Sequence, residues 1–372
     1  MRILLTNFDL KTRAGTQLYV RDLAVGLLAR GHRPVVYSPA HGDVARDLRD
    51  ATVPVTDDLS TLEKRPDIIH GNQHVETMTA LLHFPGVPAV YFCHSWKHWL
   101  EAPPGFPRIL RYVAVDDTCY DRLTAEHGIP EGKARVILNF VDLRRFGPRG
   151  PLPERPRRAL VFSNYASEKT HLNAIRQACR RSSIELDVIG EAAGRVSEKP
   201  ELELGKYDLV FAKARCALEA LAVGAAVILC DSSGSGPLVT TRELEQLRRF
   251  NFGVRTLQGP LTAEAVGREI ERYDAADAGE VSRRIRANAG SEMAFARIVE
   301  LYEEVVAEYA REGGPDLDAE GRAAARYLRQ LHSDFASHAA LTLRWRNRLL
   351  KFPYLGPRLI SLRERFAARP RH

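Results

Sequence analysis

The sequence has few cysteines and no long apolar run. Its five cysteines are scattered and form no C-x-x-C pair, which argues against both a disulfide framework and a zinc site. Reduced thiols within apolar stretches indicate a reducing compartment, so a cytoplasmic protein is expected. No apolar run approaches the ~20 residues of a membrane-spanning helix. The N-terminal segment MRILLTNFDL becomes polar too soon for a signal peptide and is a predicted strand.

Low-complexity tracts and short internal repeats are also missing. The 372 residues are 45% hydrophobic and 27% charged, the composition of a globular protein rather than a disordered or fibrous one. A chain of this length accommodates two domains of ordinary size.

Basic residues are concentrated at the end of the chain. The net charge is +7, but residues 341–372 carry nine Arg and Lys against Glu364 alone, which leaves the rest close to neutral. A nucleic-acid-binding protein usually carries its charge across a folded face. We therefore expect no nucleic-acid partner.

The order of the apolar segments predicts an α/β fold. RILLTNF is a predicted strand, LYVRDLAVGLLARG a helix and HRPVVYS a second strand, which is the unit of a parallel sheet. Further strands are predicted over 65–71, 87–94, 111–117 and 135–142. Together these segments form a first domain over residues 1–146.

A second domain of the same kind follows a linker. Residues 147–158 (GPRGPLPERPRR) contain too much Pro and Gly for a helix or a central strand. Strands are then predicted at RALVFSN, ELDVIG, YDLVFA, AAVILCD and FGVRTL, and helices follow. The second domain is placed over 159–312, and residues 313–372 form a helical, basic extension.

Candidate binding residues follow the strands of the first domain, because ligands of such folds bind outside the carboxyl ends of strands. Gly15 and Thr16 lie before the first helix, where backbone N–H groups can approach an anion; a plain tight turn also fits this glycine. His94 ends a strand and is suited to hydrogen bonding or proton transfer. A structural loop histidine fits that position equally well.

The second domain adds charged and glycine-rich candidates. Lys169 follows the first strand of this domain, where it can neutralise a diphosphate or simply be solvated. Arg215 and Glu219 share a helix face, so an ion pair between them is compatible with a ribose contact from Glu219. Gly234 and Gly236, in SSGSGP, are candidates for a phosphate-binding nest of backbone N–H groups, or for an ordinary turn.

Five segments, taken in order, resemble the retaining glycosyltransferases of family 4, whose GT-B architecture is two Rossmann-like domains facing across a cleft. They are AGTQLYVRDLAVGLLARGHRPVVYSP, RPDIIHGNQ, VPAVYFCH, VILNFVDLRRFGP and ALEALAVGAAVILCD. They match the family's Gly-rich loop, its PD-(I/V)-(I/V)-H strand, the strand of its active-site histidine, its interdomain signature, and the second glutamate of its E-x7-E motif. The likeness spans roughly residues 1–255.

This resemblance implies roles for single residues. His94 would lie near the transferred sugar, Lys169 at the donor diphosphate and Glu219 at the donor ribose; these three are the predicted catalytic residues. Fixed cations and N–H groups can stabilise a leaving diphosphate, so no metal and no cofactor beyond a UDP- or GDP-sugar is implied. The residues expected to bind this donor are Gly15, Thr16, Asn164, Lys169, Arg215, Glu219, Gly234 and Gly236.

Besides Phe140, which stands in place of the Gly of the interdomain signature, two departures from the family's pattern bear on donor binding. Asn164 stands in place of the arginine of the family's G-R-L segment, and Phe211 stands in place of the first glutamate of E-x7-E. One phosphate cation and the usual contact to the donor sugar are therefore missing. Our hypothesis is that Lys213 or Arg215 replaces the lost cation; otherwise donor binding is altered or lost.

The sequence as a whole predicts a retaining, metal-independent, hexosyltransferase-type enzyme of polysaccharide biosynthesis. It would move a sugar from a nucleotide sugar to a glycan, glycolipid or other envelope-type acceptor. Two alternatives remain open: a non-catalytic relative that binds glycan, and a GT-B sugar-nucleotide epimerase. In residues 341–372, aromatic and aliphatic residues interleave with arginines, which suits an anionic membrane surface on the cytoplasmic side. A closing helix with a solvated arginine face suits this segment equally well.

Overall fold

The computed structural model describes residues 1–350, apart from the side chains of residue 334 and of 336–350. Residues 1–103 and 108–314 form one compact unit that contains both α/β domains. Residues 104–107 and 315–350, with the long helix Leu317–Leu350, belong to a second unit. The proposed membrane-binding side chains of 341–372 lie outside the described residues.

The first domain is a seven-stranded parallel sheet with helices between its strands. Its strands are β1 (Arg2–Thr6), β2 (Arg33–Tyr37), β3 (Val55–Thr56), β4 (Ile68–Gly71), β5 (Ala89–Cys93), β6 (Ile109–Ala114) and β7 (Ala134–Val136). Its helices are α1 (Gly15–Ala29), α2 (Asp43–Asp50), α3 (His74–His83) and α4 (Asp117–Asp121). The strand order β3-β2-β1-β4-β5-β6-β7 reverses between β1 and β4, so the loops after these two strands border a crevice.

The second domain is a five-stranded sheet. Its strands are β8 (Arg158–Phe162), β9 (Glu185–Ile189), β10 (Leu209–Ala212), β11 (Ala226–Asp231) and β12 (Gly234–Leu238). The order is β12-β11-β10-β8-β9, and all pairs are parallel except β11 with β12. The helices that follow β8 are α5 (Leu172–Arg181), α6 (Pro200–Glu203), α7 (Ala214–Val223), α8 (Leu244–Arg249), α9 (Ala263–Glu271), α10 (Ala275–Asn288), α11 (Ser291–Arg311) and α12 (Leu317–Leu350).

The central strands are apolar because helices cover both faces of each sheet. Every residue of β5, β10 and β11 is buried, and continuous apolar runs are typical of such strands. The predicted fold class, two α/β domains with a helical region at the end, is confirmed.

Three predicted segments differ from the structure. The strand predicted over 135–142 is limited to β7, and FGVRTL forms a 3-10 turn at Val254–Thr256 instead of a strand. Asn251 and Phe252 just before that turn have positive φ angles of 50° and 54°, which no strand allows.

The glycine-rich segment SSGSGP is the third difference, because it forms edge strand β12 rather than an anion-binding nest. The N–H of Ser235 donates to the carbonyl of Gly259 at 3.0 Å. A Cβ on Gly234 would lie 2.6 Å from the carbonyl oxygen of Leu257, and one on Gly236 2.5 Å from that of Thr256. These glycines therefore allow a close approach of two backbones, and the phosphate contact expected of them stays a prediction.

The chain passes from the first domain to the second and returns beside its own outgoing path. The N–H of Val141 donates to the carbonyl of Ala289 at 2.9 Å, and the N–H of Ser291 donates back to Val141 at 2.9 Å. Since α11 begins at Ser291, this short ladder fixes the direction in which the returning helix leaves the second domain.

Helix α11 packs against the first sheet, although it follows the second domain in sequence. Phe295, Ile298 and Tyr302 enter the core formed by β1, β4 and β5. The Tyr302 hydroxyl lies 2.6 Å from Nδ1 of the buried His70. By packing, this helix is therefore part of the first domain.

Gly26 on α1 lies directly against the Phe295 ring of α11. A Cβ there would lie 2.1 Å from the Phe295 ring, which is itself buried against Phe140. We predict that Gly26→Ala lowers the free energy of unfolding by about 1–3 kcal/mol through overpacking, measured by urea denaturation. The matched control is Gly267→Ala in α9, which meets nothing within 4 Å and should be neutral or stabilising by about 0.5–1 kcal/mol. Equal effects in both variants would contradict the tight α1–α11 contact.

Candidate active site

Two neighbouring cavities open at the carboxyl ends of both sheets. The first, of about 400 Å³, lies between the loop after β5 and the start of α7. The second, of about 490 Å³, lies between the loop before α1 and the loops after β8 and β9. Gly15 and Arg215 line both cavities. The described chain therefore has a cleft where the strand order predicted one.

His94 lies on the first-domain wall of the first cavity. Its Nε2 is 2.8 Å from Oδ1 of Asn72, whose side-chain nitrogen donates to the carbonyl of Thr6 at 2.7 Å. Since the amide oxygen of Asn72 thus faces the ring, Nε2 of His94 carries the proton. Burial lowers the pKa of His94 to about 3, so the ring is neutral at pH 7 and its Nδ1 is a hydrogen-bond acceptor.

The loop that follows His94 is held from two sides. The Glu101 carboxyl accepts the His94 N–H at 2.6 Å. The Arg122 guanidinium donates to the carbonyl oxygens of Ser95 and His98. Burial raises the pKa of Glu101 to about 7, although the N–H groups of His94 and Ser95 and the charge of Arg122 oppose this shift. The loop backbone is therefore fixed at the wall of the cavity.

Arg215 connects the two domains through carboxylates. Its guanidinium pairs with Asp22 of α1, and its Nε donates to Glu219 at 2.8 Å. The predicted pair with Glu219 is thus confirmed, and Asp22 is an additional partner. Burial opposes ionisation of Asp22, but the charges of Arg215 and Arg21 outweigh burial and lower the pKa of Asp22. At Glu219 burial outweighs the charge of Arg215, so the pKa of Glu219 is raised.

Lys213 lies between β10 and α7 and lines the first cavity. It pairs with the buried Asp231 at the end of β11 and lies 5.7 Å from the ring centre of Tyr165. His171 is 1% exposed, and burial lowers its pKa. Of these groups Lys213, whose side chain is 32% exposed, can approach a ligand in the cleft.

The predicted site residues are only partly brought together. Gly15, Thr16 and His94 line the first cavity, and Asn164 and Glu219 line the second. Lys169 is exposed in the turn before α5 and is in the lining of neither cavity. Gly234 and Gly236 are held in β12, away from both linings.

Several polar residues that contact the lining of the cleft were not predicted from the sequence. Asn72 directly follows β4, so the rule that ligands meet strand ends would have indicated it. Asp22, Glu101 and Arg122 lie inside or between helices and are recognisable only from their contacts. Among the described residues, no cluster of His, Cys, Asp and Glu could hold a metal ion.

Solved structures share this architecture. A glycosyltransferase from Rickettsia africae superposes with a TM-score of 0.61 at 15% identity, over 82% of this chain and 98% of that one. Sucrose-phosphate synthase from Thermosynechococcus elongatus gives 0.58 at 14%, over 82% and 99%. Anabaena HepE, in complex with UDP and glucose, gives 0.57 at 14%, over 82% and 100%. At such identities these likenesses show the fold, which is GT-B.

The family comparison concerns the first domain. Residues 13–145 match the family model "Glycosyltransferase Family 4", which confirms the resemblance read from the motifs. No curated protein matches the chain in sequence. The family match and the fold together support sugar transfer as the general activity. Through residue 350, no helix is long and apolar enough to cross a membrane.

The raised pKa of Glu101 predicts a pH-dependent stability. Between its ordinary value of 4.5 and about 7, this carboxyl is ionised in the unfolded chain but protonated in the folded one. Stability therefore falls as pH rises through this window. Glu101→Gln stays neutral, so its free energy of unfolding relative to wild type should rise by about 3 kcal/mol from pH 4.5 to 8. Urea denaturation at several pH values measures this, with the exposed Glu312→Gln as control. A constant difference between Glu101→Gln and wild type would contradict the prediction.

Removing Arg215 should leave the buried Glu219 without its ion-pair partner and Asp22 with Arg21 alone. We expect Arg215→Ala to lower the free energy of unfolding by about 3–5 kcal/mol. The control, Arg283→Ala, breaks an exposed pair with Glu280 and should cost less than about 1 kcal/mol. Chemical denaturation compares the two. The triple variant Asp22→Asn, Arg215→Met, Glu219→Gln should recover most of the loss, because it leaves no buried carboxylate unpaired and Arg21 keeps Asp47 as a partner. Similar costs for the two single variants would refute the role given to Arg215.

Proposed function

We propose that the chain is a retaining, metal-independent hexosyltransferase that uses a UDP- or GDP-sugar. The donor would bind mainly to the second domain, and a glycan, glycolipid or other envelope-type acceptor would enter from the first. The observation that carries this proposal is the cleft itself: the neutral His94 lies on one wall, and Lys213 and Arg215 lie on the other. The family match of the first domain supports the same conclusion.

The donor diphosphate is assigned to Lys213 rather than to Lys169. Lys169 lies outside both cavity linings, whereas Lys213 lines the first cavity, and its ammonium has three N–H donors, more than Asp231 alone requires. Arg215 already serves two carboxylates. Of the two cations considered for the missing arginine, Lys213 is therefore the better placed.

Backbone N–H groups of the first domain would complete the phosphate site. No side chain caps the N-terminus of α1, where Gly15 and Thr16 line the first cavity. Free N–H groups at a helix N-terminus favour an anion. Together with Lys213 they would stabilise the charge that develops on the leaving diphosphate.

Glu219 and His94 would hold the two ends of the donor. Glu219 lines the second cavity together with Asn164, and its carboxylate can accept hydrogen bonds from ribose hydroxyls. His94 can accept a hydrogen bond from a hydroxyl of the transferred sugar through Nδ1. In retaining transfer the acceptor attacks on the face that the diphosphate leaves, which requires the two substrates to meet beside these groups.

The cellular setting is also a proposal. A cytoplasmic enzyme of polysaccharide biosynthesis, associated with the inner face of the membrane through residues 341–372, would meet lipid-linked acceptors there. The sequence of that segment, with basic residues and aromatic residues interleaved, supports this through its attraction to anionic lipid.

A non-catalytic, glycan-binding relative is the second candidate. Phe211 is fully buried in the core of the second domain, so the donor-sugar contact expected at this position has no polar group there. Nucleotide binding separates the two candidates, because a sugar-transferring enzyme must bind its leaving group.

The test is thermal unfolding of the whole chain with UDP, GDP and ADP. A ligand that binds the folded state alone stabilises it by about 2.7 kcal/mol at 100-fold excess over Kd. We expect one nucleotide to raise the midpoint, and Lys213→Ala to weaken its Kd at least tenfold. Lys213→Arg should retain binding, and Lys169→Ala is the matched control. If no nucleotide shifts the thermal midpoint, the non-catalytic glycan-binding candidate is favoured. If Lys169→Ala weakens nucleotide binding and Lys213→Ala does not, the diphosphate is bound by Lys169, as the resemblance to the family implies.

A further inference from the structure

We propose that Trp96 and Lys97 form the acceptor subsite, and that the acceptor presents a sugar ring with an anionic substituent. The ring would stack on the indole of Trp96, and the carboxylate or phosphate of the ring would pair with the Lys97 ammonium. This inference rests on the proposed function, since it names the acceptor class for the same cleft.

Trp96 is an exposed aromatic residue on the wall of the first cavity. Its side chain lines the first cavity together with His94, and the residue is 42% exposed. Binding pockets are typically lined by aromatic side chains with a few polar groups. The face of an indole carries negative charge density, which attracts the polarised C–H groups on the face of a sugar ring. The indole face that Lys97 does not cover, beside the proposed reaction centre, is therefore suited to a sugar.

The loop holds Trp96 in this exposed position. Glu101 accepts the N–H of His94 before it, and Arg122 donates to the carbonyls of Ser95 and His98 on both sides of it. The Ser95 hydroxyl also accepts the N–H groups of Lys97 and His98, at 3.4 and 3.2 Å. Because the backbone is already ordered, a ligand that stacks on the indole loses little free energy to ordering it.

Lys97 supplies the charge. Its Nζ lies over the Trp96 ring, 5.5 Å from the ring centre, so a sugar stacked on the opposite face would meet the ammonium with a substituent that extends past the ring edge. Lys97 is exposed and forms no ion pair with a carboxylate of the described residues. It extends from the first domain, whereas Lys213, the cation assigned to the donor, extends from the second. An anion on the acceptor is thus the group that Lys97 is placed to bind.

Ligand-observed saturation-transfer NMR on the full chain, with and without UDP, tests this subsite. The probes are glucose, glucuronic acid and glucose 6-phosphate. We expect both charged sugars, or one of them, to bind at least fivefold tighter than glucose. The comparison of the two identifies carboxylate or phosphate as the preferred anion.

Variants assign the binding to the two side chains. Trp96→Ala should weaken the favoured sugar at least tenfold, while Trp96→Phe, which keeps an aromatic face, should stay within about threefold of wild type. Lys97→Ala should remove the preference for the charged sugar and leave glucose unchanged. Exposed residues outside both cavity linings, Leu82→Ala and Lys64→Ala, are the matched controls. Unchanged thermal midpoints establish that each variant is folded.

Each outcome decides the proposal. It is overturned if wild type binds none of the three sugars, if Trp96→Ala binds them like wild type, or if Trp96→Ala weakens UDP instead, since the indole would then stack on the base. Sugar binding that depends on Trp96 in a chain that binds no nucleotide would support the subsite and reject the transferase. If the chain binds nucleotide but the Trp96 and Lys97 variants bind the sugars like wild type, the subsite is rejected and the transferase is supported.

Discussion

The arrangement of the cleft depends on the backbone ladder that joins Val141 to Ala289 and Ser291. The outgoing and returning segments hydrogen-bond to each other there, and α11 then packs Phe295 and Tyr302 into the first core. A long helix anchored in one domain and tethered at its start to the other restricts how the two sheets can face each other. The strand ends that carry His94 and Lys213 line one cavity as a result.

Ion pairs between the two domains add to the contacts of this backbone ladder. Arg215 pairs with Asp22 on the first domain and Glu219 on the second, inside the cleft where partners screened from water interact strongly. Arg249 and Arg255 of the second domain add pairs with Asp117 and Asp121 of the first. In each of these two ion pairs at least one side chain is exposed, so the pairs contribute little to stability. Among these contacts, the buried one at Arg215 is therefore the one whose disruption by loss of a single partner should cost the most stability.

Local sequence predicted the parts of the fold that depend on local chemistry. Apolar runs identified β5, β10 and β11, because strands covered on both faces contain little else. The errors occur where long-range contacts decide. Gly234 and Gly236 belong to a strand because the backbone near Leu257 approaches them, and α11 joins the first domain because Phe295 fits against Gly26. His94 was predicted from its position at a strand end, whereas Glu101, which holds its backbone N–H, has no such signal.

The departures from the family's motifs become consistent once the end of the second sheet is considered as a whole. Phe211 points into the apolar core, so the carboxylate expected there is missing, but the neighbouring strand β11 ends in the buried Asp231. That carboxylate pairs with Lys213, which directly follows β10. A cation and a carboxylate are thus still present at this sheet edge, one strand apart. In the proposed donor site, Lys213 and Asp231 would therefore carry the charge at the ends of β10 and β11, in place of the residues that the family's motifs have.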